Sequence, residues 1–511
     1  MIPLAHLPTL FLLIGYPLYW LELYAWPHPT GHTTWLATGV FVAVALFLAR
    51  RVKIAFIMPE LPRWFFFPAV GLVLGMIVVA FFAGLLPLHL PQEYDVINYH
   101  LTLPRQHLIA GSFAHLPWSS ADLFLLPVDF ALAPFWLATA LPNKWPQFLF
   151  ILGAAAVMFR LTMRFSSENR AASVLAVVAL FSLHAFGIQA GTGMLDIALG
   201  YLFFAAIDSL LSGKSVLAAL EFAFFFWSKP LIPAFMIAAL AITLVLFLLL
   251  RRNRGMSALP ILSIRQVAVA FLVSSVFVAG PFIMKSVNVA GTAFFPLTGA
   301  VMKPAACSAD SIAGLSVTDQ SACRFMQVKD SYGHGRSFGA FISHFWLVAV
   351  PEKGVNNSFD YPLGLTYLLY LVPFLGICAK DLVDRKLSFL AIFIVVYWLL
   401  WFTGTQQSRF LLVPLMGMII LVSARMARPS RVFLACVLLA LMMTGASVAR
   451  AHKPDLGRRG YDVLRPQDQQ FLKRGLVVTP GEVVAVRTPD AAFAPFLVDV
   501  RGFGNEFVLD H

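Results

Sequence analysis

Apolar residues fall in long blocks along this chain, not in the strict alternation of a half-buried strand. Blocks of roughly 17–22 residues with few or no charges are what a helix needs to cross a bilayer. They predict helices at 4–24, 33–49, 66–86, 146–163, 171–190, 196–212, 215–230, 231–250, 266–284, 361–379, 388–403, 409–424 and 432–449. Basic clusters separate alternate blocks: Arg50, Arg51, Lys53 and Arg63; Arg160, Arg164 and Arg170; Lys214; Arg251, Arg252 and Arg254; Lys380, Arg385 and Lys386; Arg425, Arg428 and Arg431. With a cytoplasmic N-terminus every cluster falls inside, as the positive-inside bias requires. A further apolar stretch, 123–140, is interrupted by Pro127 and Pro134, and counting it as a span would put Arg160 and Arg164 outside. It reads as a helix lying at the outer interface. Segments 87–145, 285–360 and 450–511 then face outward, so the chemistry is expected there. In the last of them Val483–Val486 and Phe496–Val500 look like strands around a Thr488-Pro489-Asp490 turn, which suggests a small α/β unit.

Composition removes whole classes of function. Of 511 residues, 59% are hydrophobic and only 12% charged, mean hydropathy is +0.81 and there are 48 Phe. A soluble protein carries about 25% charged residues. A soluble enzyme, a disordered chain and, with four cysteines, a disulfide-stapled secreted scaffold are all excluded. The net charge of +12 reads as membrane topology and not as nucleic-acid binding, because no basic-aromatic tract accompanies it. The expected architecture is an all-α polytopic bundle of about 13 transmembrane helices: two N-terminal helices (1–65), a main module (66–450) and a small C-terminal domain (451–511).

Charges are scarce, so those on the outer side stand out. The first outer loop carries Glu93, Asp95, Tyr99, His100 and Arg105 within about a dozen residues just after a span. A carboxylate there can act as a general base; an ordinary solvated loop would also carry such charges. Lys229, Lys285 and Arg409 sit at outer span ends that the positive-inside bias disfavours. Binding an anionic lipid phosphate would account for them, and so would snorkelling to the interface. Asp196 opens the sixth span and fits a helix N-cap. Cys307 and Cys323 share one outer loop, where an oxidising compartment favours a disulfide; Cys378 and Cys436 lie in spans. His89, His100, His107 and His115 cluster around the first loop, but their spacing matches no zinc motif.

The run Asp95-Val96-Ile97-Asn98-Tyr99-His100-Leu101-Thr102-Leu103-Pro104-Arg105, continuing to Gly111-Ser112, resembles the first outer loop of GT-C superfamily integral-membrane glycosyltransferases, the group that includes protein O-mannosyltransferase-like and aminoarabinose transferase-like enzymes. Later segments follow in the same order: Asp196 with its apolar run, Pro281–Lys285 through Gly291-Thr292 and Phe295-Pro296, and Gln406-Gln407-Ser408-Arg409-Phe410-Leu411-Leu412-Val413-Pro414. Lys285 falls near where that pattern has an Asn. The resemblance covers roughly 66–424 and implies sugar transfer from a polyprenyl-phosphate donor to an extracytoplasmic acceptor, with inversion. It places Asp95 as the base with Glu93 as fallback. Tyr99, His100, Arg105, Lys229, Lys285 and Arg409 become substrate-binding candidates. No cofactor is firmly implied, and a divalent metal is left open. The acceptor is a glycan, lipid or protein, and the expected home is a bacterial inner membrane with the C-terminus outside. A transporter or flippase shares the span count but calls for an internal repeat that the chain does not show. A non-catalytic scaffold is a third reading.

Overall fold

The structure, a computed structural model, describes residues 4–25, 31–49, 58–85, 95–116, 119–135, 144–229, 231–252, 264–293, 332–350, 359–383, 388–426 and 428–457, residues 295 and 323, and four short strands in the tail. Each apolar block is helical. The helices are α1 (Leu7–Ala25), α2 (Gly31–Ala49), α3 (Arg63–Leu85), α4 (Thr102–Ala110), α5 (Pro127–Leu132), α6 (Trp145–Phe165), α7 (Arg170–Ser182), α8 (His184–Gln189), α9 (Asp196–Leu211), α10 (Ser215–Trp227), α11 (Leu231–Arg252), α12 (Ile264–Ala290), α13 (Phe338–Leu347), α14 (Leu365–Val383), α15 (Phe389–Thr403), α16 (Leu412–Arg425) and α17 (Arg431–Gly457). Six helical segments among the described residues are long and apolar enough to cross a membrane. In lipid the backbone has to satisfy its own polar groups, which is why apolar blocks of this length become helices.

Local chemistry sets the helix ends. Asn169, Ser337 and Ser388 cap α7, α13 and α15 by accepting from the amides of Ala172, Ala340 and Ala391. The fifth block breaks into α7 and α8 at Leu183. The freed amide of His184 donates to Leu363 O at 3.1 Å, so the break is satisfied by a neighbouring segment. Gly364 (φ 86) makes that approach possible, since a Cβ there would lie 2.8 Å from His184 Cβ.

α16 is the central column. It touches α6, α7, α9, α14 and α15, and 78% of the Ser408–Arg425 window is buried, against 33% for α3, α14 and α17. α1 is built into the same core: Tyr16 donates to Val278 O and Tyr19 to Pro104 O. α13 exposes Phe338, Ile342 and Trp346, one large apolar side chain per turn, while His344 on its other face is buried. That is the pattern of a helix lying in a membrane interface.

The stretch at 123–140 differs from the expectation of an interfacial helix. Its prolines break it into the six-residue α5 and the 3-10 turn Ala133–Phe135, and both are buried. α5 packs directly on α1 at Gly15, where a Cβ would lie 1.9 Å from Ala131 O. In the tail, Val477–Val478 pairs in parallel with Asp499–Val500, and Val483–Val486 with Glu506–Leu509.

Two charged clusters mark the ends of α9. One holds Asp196. The other holds Asp208, about 18 Å away at 1.5 Å rise per residue. There His6 lies 3.0 Å from Asp208 and 2.6 Å from Glu221, Thr9 and Ser209 each donate to Glu221 at 2.7 Å, and Arg160 reaches Asp208 at 2.9 Å. Asp208 and Glu221, with no role evident from sequence, therefore tie the start of α1 to α6, α9 and α10.

Candidate active site at one end of the bundle

Asp95 directly precedes Val96–His100, a π-helical turn closed by Leu101 N donating to Val96 O at 3.0 Å. Such turns are rare and recur at functional sites. Asp95 leads into this turn, and His100 ends it, with Nδ1 2.9 Å from Asp129 Oδ2. The Tyr99 and His100 rings lie 4.2 Å apart.

Arg409 comes from the 3-10 turn Ser408–Leu411 that starts the central column. Its surroundings are firmly tied. Trp401 donates to Gln407 O at 2.7 Å and Tyr397 to Phe410 O at 3.1 Å, while Gln406 Nε2 donates to Phe402 O and Gly335 O at 2.9 Å. Ser408 N donates to Phe359 O at 2.7 Å, and Tyr361 N to Ser408 Oγ at 3.0 Å. These last bonds bring Asp360 to Arg409. Arg409 NH1 donates to Asp95 Oδ2 at 2.7 Å, and its Nε lies 3.0 Å from Asp360 Oδ2. The second contact is an ion pair without hydrogen-bond alignment, so Arg409 Nε and Asp360 Oδ2 both stay without a hydrogen-bond partner.

Beside this triad, Lys229 Nζ donates to Asp196 Oδ1 at 2.6 Å, and both side chains are buried. Lys229 and Arg409 both lie against the Phe410 ring, at 5.2 and 5.6 Å, which places the two ion pairs side by side. Two cations thus meet three carboxylates, and Asp196 Oδ2 accepts no hydrogen bond. Burial pushes the Asp95 carboxyl up, but Arg409, His100 and Lys229 outweigh it and hold it below the usual range. Asp360 moves the other way. Burial raises it, Arg409 resists, Asp196 and Asp95 add to the rise, and it is pushed up to about 6.

The sequence candidates divide. Asp95, Tyr99, His100, Lys229 and Arg409 share this neighbourhood, whereas Arg105 lies half-buried on α4. Glu93, His89 and Cys307 lie outside the described residues; Cys323 is disulfide-bonded. Lys285 belongs to a separate cluster. It donates to Asp122 at 2.8 Å, beside His107 and 3.9 Å from the Phe113 ring centroid. His107 and His115 also reach Asp122, at 2.6 and 3.0 Å. Asp122 stays well below the usual range, because Lys285 and His107 outweigh its burial. Among the described residues no group of three His, Cys, Asp or Glu is placed to hold a metal. Lys229 and Lys285 are buried, so neither snorkels to the interface. Asp196 is not an N-cap: it is the first residue of α9 and its carboxylate takes Lys229 instead.

Sequence reasoning missed Asp360, Asp129 and Asp122. Asp360 stands alone before an apolar block, and its one visible signal is an acid between an outer loop and a span.

No family model matches the chain, and no curated protein matches it. Among solved structures it is similar to the crystal structure of ArnT from Cupriavidus metallidurans bound to undecaprenyl phosphate. That likeness has 13% sequence identity and a TM-score of 0.45, and covers 84% of each chain.

Proposed function

We propose that this protein is a membrane glycosyltransferase that moves a sugar from a polyprenyl-phosphate donor to an acceptor at the extracytoplasmic face, inverting the anomeric centre. The observation that carries this reading is the Asp95–Arg409 contact. It joins two motif segments 314 residues apart at one end of the bundle, with Lys229 beside them. The acceptor hydroxyl attacks the anomeric carbon while a carboxylate takes its proton. Asp95 is the carboxylate the motif points to, with Glu93 behind it. The anomeric carbon–oxygen bond breaks, and its electron pair leaves on the lipid phosphate, whose charge grows from about −1 to about −2. Arg409 and Lys229 are the cations in place to meet that charge, with Arg105 a further candidate. Tyr99 and His100 would line the sugar. The first experiment is mass spectrometry of lipid co-purified with the protein. A polyprenyl-phosphate sugar is the expected finding. Asp95→Asn should abolish transfer with expression intact, and a fully active variant would overturn the reading. Flux of lipid through proteoliposomes without product would point to a transporter instead.

A further inference from the structure

Asp360 combines features that a simple turn residue does not need. Its backbone is left-handed, at φ 78. Four residues on, the same connection uses glycine for such a conformation, at Gly364. A left-handed Asp is tolerated but uncommon. Its side chain is largely buried against Arg409 Nε, and its Oδ2 has no hydrogen-bond donor. The hydrogen bonds between 359–361 and Ser408 hold it there. Among the described residues, the groups facing it are Arg409, Asp95, Asp196, Lys229, Tyr332 and Tyr361.

Charge balance gives the position a purpose. With all carboxylates ionised, Asp95, Asp196 and Asp360 outnumber Arg409 and Lys229, so both cations are already neutralised. Within this group of five, no cation is left over for a leaving phosphate that gains charge. Neutralising one carboxylate during the reaction would release one.

We propose that Asp360 is a second catalytic carboxylate of this site: it keeps the proton given up by the acceptor hydroxyl, while Asp95 stays ionised, aligns that hydroxyl and holds Arg409. This rests on the glycosyl-transfer reading and changes only which carboxylate keeps the proton. The acceptor O–H bond breaks, its proton goes to Asp360 and its oxygen bonds the anomeric carbon. The bond from that carbon to the phosphate oxygen breaks with its electron pair on phosphate. Protonated Asp360 no longer competes for Arg409, whose charge turns to the phosphate. The opposite displacements of the two carboxyls, Asp95 down and Asp360 up to about 6, suit this division of labour.

The test uses the full chain in detergent, a panel of synthetic undecaprenyl-phosphate hexoses and pentoses, and envelope extract as the acceptor source. Release of undecaprenyl phosphate is followed from pH 5 to 9. The wild type should lose rate as pH falls through about 6. Asp360→Asn should slow release about 100-fold at pH 7.5 and erase that acid limb. Asp360→Gly, which suits the backbone better, should be as slow, and Asp360→Glu should recover part of the rate. Asn or Gly variants within about threefold of wild type would overturn the assignment. So would a slow Asn variant that keeps the limb near pH 6. If the wild type releases lipid from none of the sugars, the glycosyl-transfer reading fails and takes this assignment with it. If the wild type is active and the variants match it, only the role of Asp360 fails.

Discussion

At the residue scale, buried charge sets the largest energies. Lys229 and Asp196 are paired at 2.6 Å with almost no solvent contact. Breaking such a pair leaves one charge buried alone, at a cost of about 3–5 kcal/mol, whereas replacing both partners by apolar residues of similar volume is often neutral. Lys229→Met should therefore lower the thermal midpoint sharply. The Lys229→Met/Asp196→Leu double variant should regain most of it, and scanning calorimetry in detergent reads both. Asp360 behaves in the opposite sense. Its folded carboxyl sits near 6, above the unfolded value of about 3.9, so the folded state binds the extra proton between those values. The stability difference between Asp360→Asn and the wild type should therefore shrink as pH falls from about 6 to about 4, as the wild-type carboxyl takes up its proton. At pH 7.5 the variant should be more stable by up to ~2–3 kcal/mol. A site residue whose removal stabilises the fold is held in place for chemistry, not for packing.

At the element scale, close approach and short ties decide where side chains end up. Gly15 lets α1 meet α5, so Gly15→Leu should push the two apart. A loss of about 1–3 kcal/mol, read as a lower thermal midpoint, is expected. Ser408 links the 359–361 segment to the turn that carries Arg409. Ser408→Ala keeps the backbone bond to Phe359 O but loses the side-chain ones, about 1 kcal/mol each. Transfer should fall by much more than the modest drop in the thermal midpoint accounts for, because the position of Asp360 is lost as well. These ties also show why the site was only half legible. Asp95 and Arg409 could be picked out because each stands in a recognisable run at a span end. Asp360, Asp129 and Asp122 could not, because a lone acid in a loop becomes informative only once its partner is known. That partner is a cation or histidine up to 163 residues away for Asp122. The 123–140 stretch misled for a related reason. Hydropathy reports that it avoids water, and this holds equally for a helix in the interface and for two short turns in a protein core.

For the whole molecule, the hydrophobic pattern alone located the long helices but not α4 or α13, since lipid and protein interior impose the same demand on the backbone. Orientation rests on the basic clusters. Alkaline-phosphatase fusions in the 253–263 connection should be inactive, and fusions after residue 457 should be active. The reverse pattern would place the Asp95–Arg409 cluster on the cytoplasmic side.

α9 carries one further consequence. It is anchored at both ends, to Lys229 through Asp196 and to His6 and Arg160 through Asp208. Sliding it by one turn, about 5.4 Å, would break both anchors together. It is therefore a fixed strut. On the proposed reading, a long-chain lipid would have to be admitted by elements that do not bridge the two clusters, while Asp196 and Lys229 keep a constant frame of reference.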